Sequence, residues 1–137
     1  MTNPDWYNQA FYRVSVVGVI RNNAGEYLMV HEHGRWTLPG GGWDYDEDLH
    51  KSLRRELFEE IALTSSFTES VVKVLPFFNS KKKAWSMWVV CDIAYDELEY
   101  GVGDDADEVR WMSKNEIDYT TMAGTLIKQI VEREEKK

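Results

Sequence analysis

Gly40-Gly41-Gly42-Trp43-Asp44-Tyr45-Asp46-Glu47 opens a charged run that ends at Leu63 and contains Arg55-Glu56-Leu57-Phe58-Glu59-Glu60. Within that run Leu49, Leu53, Leu57 and Ile61 recur every four residues, an apolar stripe that predicts a core-facing helix from about Tyr45 to Ile61. On such a helix Glu56, Glu59 and Glu60 stand at i, i+3 and i+4, so three carboxylates share one face within a turn. Like charges at that spacing destabilise the helix unless something offsets them, and a hard divalent cation, which takes oxygen ligands, would do so. A solvated helix face is the plain alternative for any glutamate-rich turn. The glycines immediately upstream weigh against it, as does the capping-box spacing of Asp44 and Glu47. A flexible glycine turn brings backbone close to a ligand while the carboxylates hold a metal beside it.

Upstream, Tyr12 to Arg21 is β-rich, with Val14, Val16, Val17, Val19 and Ile20 placing apolar groups on both faces of a buried strand. Asn22-Asn23-Ala24-Gly25 is a hairpin-type turn, Glu26 to His31 a second strand, and His33-Gly34-Arg35 another turn. Trp36-Thr37-Leu38 is a short strand stopped by Pro39 and the glycines. Downstream, a polar connector leads to a strand over Val71 to Phe78, with Pro76 marking an edge. A basic turn at Asn79 to Lys83 precedes a long strand from Ala84 to Tyr95. The acidic segment Asp96 to Glu108 leads to a strand over Val109 to Met112. Ser113 to Glu116 has capping-box spacing for a brief helix, and a final helix runs from Thr121 to about Glu135, its last residues frayed. Residues 1–10 are expected to be a loose lead-in. Strands, helix, strands and helix together predict an α/β fold, a mixed sheet with helices on both sides, and one domain over residues 1–137.

The 137 residues suffice for one hydrophobic core, and 43% hydrophobic with 13% aromatic content indicates a globular chain. A net charge of -8 argues against a DNA-binding surface, though not against a phosphate substrate whose charge a metal would screen. Cys91, the single cysteine, has no disulfide partner in the chain and is expected to be a small buried residue rather than a nucleophile. No apolar run is long enough to span a membrane and no apolar signal core opens the chain, so a cytoplasmic protein is expected.

The stretch from Gly41 to Leu63 resembles a Nudix box, the MutT-like pattern of Gly, five residues, Glu, seven residues, Arg-Glu, an aliphatic, any residue, Glu-Glu, any residue, Gly and an aliphatic. Gly41, Glu47, Arg55, Glu56, Leu57, Glu59, Glu60 and Leu63 fall in register; Ala62 stands where the family has the glycine that ends the helix. Tyr45-Asp46 replaces the family's common Pro-Gly. The resemblance implies a Nudix-type α/β/α sandwich and hydrolysis of a nucleoside diphosphate linked to another group, with Mg2+ as cofactor and Mn2+ as a substitute. It further implies Glu56, Glu59 and Glu60 as metal ligands, the Gly40 carbonyl as a further one, and a Glu47–Arg55 pair bracing the loop and helix. Two or three carboxylates holding Mg2+ can clamp a pyrophosphate and lower the pKa of a bound water.

Family members draw the general base from a box glutamate or from an acidic residue of a later loop. Asp104, Asp105, Asp107 and Glu108 suit the latter role, and Glu108 comes first because it borders a strand; a solvated acidic loop is the alternative. Trp36, Trp43, Tyr45 and Trp85 offer faces for a base, although most such aromatics are core. Arg13, Arg21, Arg35 and Lys81 to Lys83 offer cations for phosphates. Arg13, Gly41, Trp43, Tyr45 and Trp85 are the residues expected against a small nucleotide substrate, long RNA being disfavoured by the charge. A homodimer is expected from the relatives, and a Nudix-like sensor that binds without turnover is the competing reading. The complete set of box acids favours the enzyme.

Overall fold

The computed structural model describes residues 10–135; residues 1–9, where the lead-in is expected, and the last two residues of the expected frayed end lie outside them. Seven strands and two helices follow in the order β1 (Arg13–Val19), β2 (Tyr27–Glu32), β3 (Arg35–Thr37), β4 (Gly40–Gly42), α1 (Leu49–Ile61), β5 (Thr68–Asn79), β6 (Ala84–Ala94), β7 (Glu108–Met112) and α2 (Met122–Glu135). A four-stranded sheet has the order β4-β1-β6-β5, and a three-stranded sheet the order β3-β2-β7. The first is mixed, because β1 runs parallel to β6 and antiparallel to β4.

Alternation along the strands builds two cores. Val16, Leu28 and Val30 pack with Leu53, Leu57 and Ile61 of α1, whereas Val17, Val19, Tyr27 and Met29 pack with Leu126, Ile127 and Ile130 of α2. Each helix therefore covers one face of strands that are apolar on both, which is the sandwich expected from the sequence. Cys91 lies fully buried in the α1-side core, and burial pushes its thiol up to about 11, with Glu69 and Asp92 adding to the shift. Among the described residues, no helix is long and apolar enough to cross a membrane.

Four local expectations need correction. The glycine run is strand β4 rather than a turn, with Gly42, Gly41 and Gly40 opposite Ser15, Val16 and Val17. The approach is so close that a Cβ at Gly40 would lie 2.0 Å from the Val16 carbonyl oxygen. The helix starts at Leu49, with Asp48 as its cap accepting from the Lys51 N–H at 2.8 Å. Asp44 and Glu47 instead close a separate turn, the Asp44 N–H donating to Glu47 Oε1 at 3.2 Å. Ser113 to Glu116 likewise forms a turn and not a helix: the Ser113 N–H donates to Glu116 Oε1 and the Glu116 N–H to the Ser113 carbonyl, both at 2.9 Å, and Ile117 then enters the α2-side core before a second turn can propagate. Strand β5 also begins earlier than expected, at Thr68, and it is an edge strand, as Pro76 suggested.

Helix α1 leaves through Ala62 in the left-handed region (φ 50°, ψ 36°), its N–H on the Phe58 carbonyl at 3.0 Å. The exit geometry of the missing glycine is therefore kept by a residue whose Cβ resists it, at a cost of about 1 kcal/mol. Ala62→Gly is expected to raise unfolding stability by about 0.5–1 kcal/mol, allowing for the extra chain entropy of glycine. Urea denaturation checks this, and an unchanged midpoint would mean that the turn carries no strain.

Candidate active site

Strand β4 and helix α1 are joined by one arginine. Arg55 donates from Nε and Nη2 to the two oxygens of Glu47, both at 2.7 Å, and from Nη2 to the Gly42 carbonyl at 2.8 Å. Its Nη1 reaches Glu56 at 2.7 Å and Glu59 at 3.4 Å. A planar guanidinium can serve so many oxygens at once because its donors are fixed in a fork. The pairing holds the Glu47 carboxyl below its ordinary value and the guanidinium above its own. Gly41 completes the junction: a Cβ there would lie 2.2 Å from Glu56 Oε2, so any side chain at this position would push that carboxylate out of its place.

Glu56 and Glu60 are 7% and 3% exposed, while Glu59 is half-buried. Burial pushes the Glu60 carboxyl up to about 9; the neighbouring Glu32, Glu56 and Asp105 add to the shift, and a hydrogen bond from the Gly40 backbone opposes it. Burial raises Glu56 and Glu32 as well. Glu32, the last residue of β2, hydrogen-bonds Glu60. The acidic loop arrives from the other side, where the Gly103 and Asp105 N–H groups bond the Glu60 and Glu59 carbonyls at 2.9 and 3.0 Å. These bonds satisfy carbonyls that a helix end leaves open, and they set Asp105 against the cluster.

Among the described residues, no group of three or more His, Cys, Asp or Glu side chains stands ready to hold a metal ion, the Arg55 guanidinium being drawn onto Glu56 and Glu59. Two features nevertheless suit a hard divalent cation. The donors are carboxylates, and Glu60 Oε2 is buried with no hydrogen-bond partner, a costly state for any polar atom and one that a cation would relieve.

Gly40, Gly41, Glu47, Arg55, Glu56, Glu59 and Glu60 thus come together. The other sequence-predicted residues are placed differently. Glu108 heads β7 opposite His31 with its side chain exposed. Trp43 is half-buried against the α1-side core, its Nε1 donating to the Glu47 carbonyl at 2.8 Å. Tyr45 is 102% exposed; Trp85 is 49% exposed, edge-on to Phe78 and near Tyr12. Arg13 stands at the exposed start of β1, opposite Ser86. Trp36 lies between His31 and the Arg110 guanidinium. Sequence reasoning missed Glu32. The signal was available: it continues the Leu28, Val30 alternation of β2, the set that faces α1.

The NUDIX domain description matches residues 11–132. An RNA pyrophosphohydrolase of Vibrio atlanticus is 30% identical over 122 residues, covering 74% of this chain and 71% of its own. A MutT protein from Methanosarcina mazei superposes with a TM-score of 0.75 at 24% identity, over 94% of this chain and 99% of that one. A bifunctional NMN adenylyltransferase/ADP ribose pyrophosphatase from Francisella tularensis, complexed with AMP and a Mn ion, gives a TM-score of 0.69 at 25% identity, over 94% of this chain and 44% of that one.

Proposed function

Because the chain belongs to the Nudix family, we propose that it is a divalent-cation-dependent pyrophosphohydrolase that cleaves the phosphate bridge of a nucleoside diphosphate joined to another group. The observation that carries this reading is the buried, unpartnered Glu60 Oε2, on which the charges of Glu32, Glu56 and Asp105, from three chain segments, all act. Glu56, Glu59 and Glu60, with the Gly40 carbonyl, would hold Mg2+ or Mn2+. When bound, the cation supplies neutralisation of the phosphate bridge and Lewis acidity.

The chain's own groups do the remaining work. Arg55 orients Glu56 and Glu59, ties the loop to α1 through Glu47 and clamps β4 to α1 through the Gly42 carbonyl. The α1 helix and β4 backbone then hold the reacting groups at fixed positions, which for phosphoryl transfer supplies much of the rate. The proton of the attacking water passes to a carboxylate of the acidic loop. For that role Asp105 takes precedence over Glu108, because its charge acts on Glu32, Glu56 and Glu60 while its side chain stays open to solvent. Asp105→Asn is expected to lower kcat by about 10²–10³ with little change in KM. If Glu108→Gln has that effect and Asp105→Asn does not, the assignment passes to Glu108. Exposed Tyr45 and Trp85 are available for stacking on a base, whereas Trp43 is committed to the fold.

A substrate panel measured with and without Mg2+ tests the reading. It contains ADP-ribose, an oxidised deoxynucleoside triphosphate, a dinucleoside polyphosphate and a 5′-triphosphorylated RNA. The names of the relatives put RNA ends in the panel although the net charge of -8 weighs against long RNA. Turnover that ignores divalent cation, or that survives in Glu59→Gln and Glu60→Gln, would overturn it.

A further inference from the structure

The β2–β3 hairpin turns through His33 and Gly34, both left-handed (φ 50° and 75°), the pattern of a two-residue hairpin loop. That tight turn sets Glu32 directly opposite Arg35. Residues opposite one another across antiparallel strands share a face. Glu32 faces α1 and touches Glu60, so Arg35 rises on the same face, at the rim of the carboxylate cluster. Its charge acts on Glu32.

Arg35 differs from the other arginines around it. Arg55 is engaged by Glu47, Glu56, Glu59 and the Gly42 carbonyl. Arg21 pairs with Glu134, Arg54 with the Ser65 carbonyl and the Phe67 ring, and Arg110 lies over Trp36. Arg35 is half-buried, and its Nε is buried with no hydrogen-bond partner among the described residues. A buried donor without an acceptor is costly. A cation in the cluster would not relieve it; an anion would. The guanidinium fork fits two oxygens of one phosphate.

We infer that Arg35 is a phosphate-binding residue, its guanidinium gripping oxygens of the substrate's phosphate chain while the bridge lies against the Glu56–Glu60 cluster. This rests on the pyrophosphohydrolase reading of the same site and adds a residue from outside the box, on a different pair of strands.

The test uses the full chain, with Mn2+ alone and then inorganic pyrophosphate in the presence of Mn2+ as calorimetric probes. Arg35→Gln is expected to keep Mn2+ affinity within twofold and to lose pyrophosphate affinity at least tenfold. Arg35→Lys, which keeps the charge but not the fork, should fall between. In turnover, KM rises with the same ranking and kcat changes less. Parent-like pyrophosphate binding by Arg35→Gln overturns the inference alone, as does an equal loss of Mn2+ affinity, which would mark a structural role. If the parent itself binds no pyrophosphate with Mn2+ present, the reading of the site falls and Arg35 with it. Should Arg35→Gln fail to fold, Arg35→Lys decides: at least threefold weaker pyrophosphate binding with intact Mn2+ binding supports the role, and parent-like binding overturns it.

Discussion

Replacing Glu60 by Gln is expected to lower kcat by about 10³ or more and, in the opposite sense, to raise the melting temperature of the metal-free protein at pH 8 by roughly 5 °C or more. The two effects share one cause. Glu60 is buried among Glu32, Glu56 and Asp105, which lifts its carboxyl from 4.5 to about 9. An acid whose folded value is raised binds its proton more tightly when folded, so the stability it contributes is fully present below pH 4.5 and is lost as pH rises through about 9. The metal-free protein should therefore become progressively easier to unfold across that window. Glu56 and Glu32 are raised too and act in the same direction. Glutamine keeps the shape and removes the charge, and most of the slope with it. Added Mg2+ or Mn2+ should flatten the parent's profile by favouring the ionised form. Thermal melts in chelator from pH 5 to 9, beside kcat for both proteins, check this. A parent profile that rises with pH over this range would refute the electrostatic account.

Arg55→Ala should cost about 2 kcal/mol of stability and at least ~10² in kcat/KM. The energetic part comes from Glu56, which is 7% exposed and loses the 2.7 Å partner that compensates its charge. Removing one member of a well-buried ion pair typically costs about 3–5 kcal/mol, reduced here because the Arg55 side chain is itself 29% exposed. The kinetic part comes from position: without the fork to Glu47 and the bond to the Gly42 carbonyl, β4 and α1 lose the tie that aligns them. Arg55→Lys keeps a positive charge at a single point and should recover part of the stability but little of the alignment. Chemical denaturation and steady-state kinetics on the three proteins measure both parts, and a parent-like denaturation midpoint for Arg55→Ala would contradict the role given to Glu56.

What could be seen in the sequence was whatever a period makes visible. The stripe Leu49, Leu53, Leu57 and Ile61 announced α1, and all but Leu49 are fully buried. The doubly apolar Val16, Val17, Val19 and Ile20 announced a strand between two layers. Strand β4 was hidden because glycines have no side chains to alternate. The helix start was displaced because Asp44 and Asp48 both carry a capping carboxylate, and only the turn closed by Glu47 decides between them. Within the box the site was legible, since local spacing fixes which side chains share a helical face. Glu32 and Asp105 reach that face from elsewhere in the chain, one through a sheet and one through a loop anchored on the helix end. Such meetings depend on tertiary register, which no short window of sequence records.

The anchoring of that loop has a consequence for motion. Alternate amides, at Gly101, Gly103 and Asp105, fasten to the carbonyls of Ile61, Glu60 and Glu59 in turn, like a zip laid along the last coil of α1. Lifting Asp105 away therefore breaks its amide's bond to the Glu59 carbonyl and strands an oxygen that the helix itself leaves without a partner. The loop acid is thus held beside the helix acids by backbone bonds that do not depend on its own side chain.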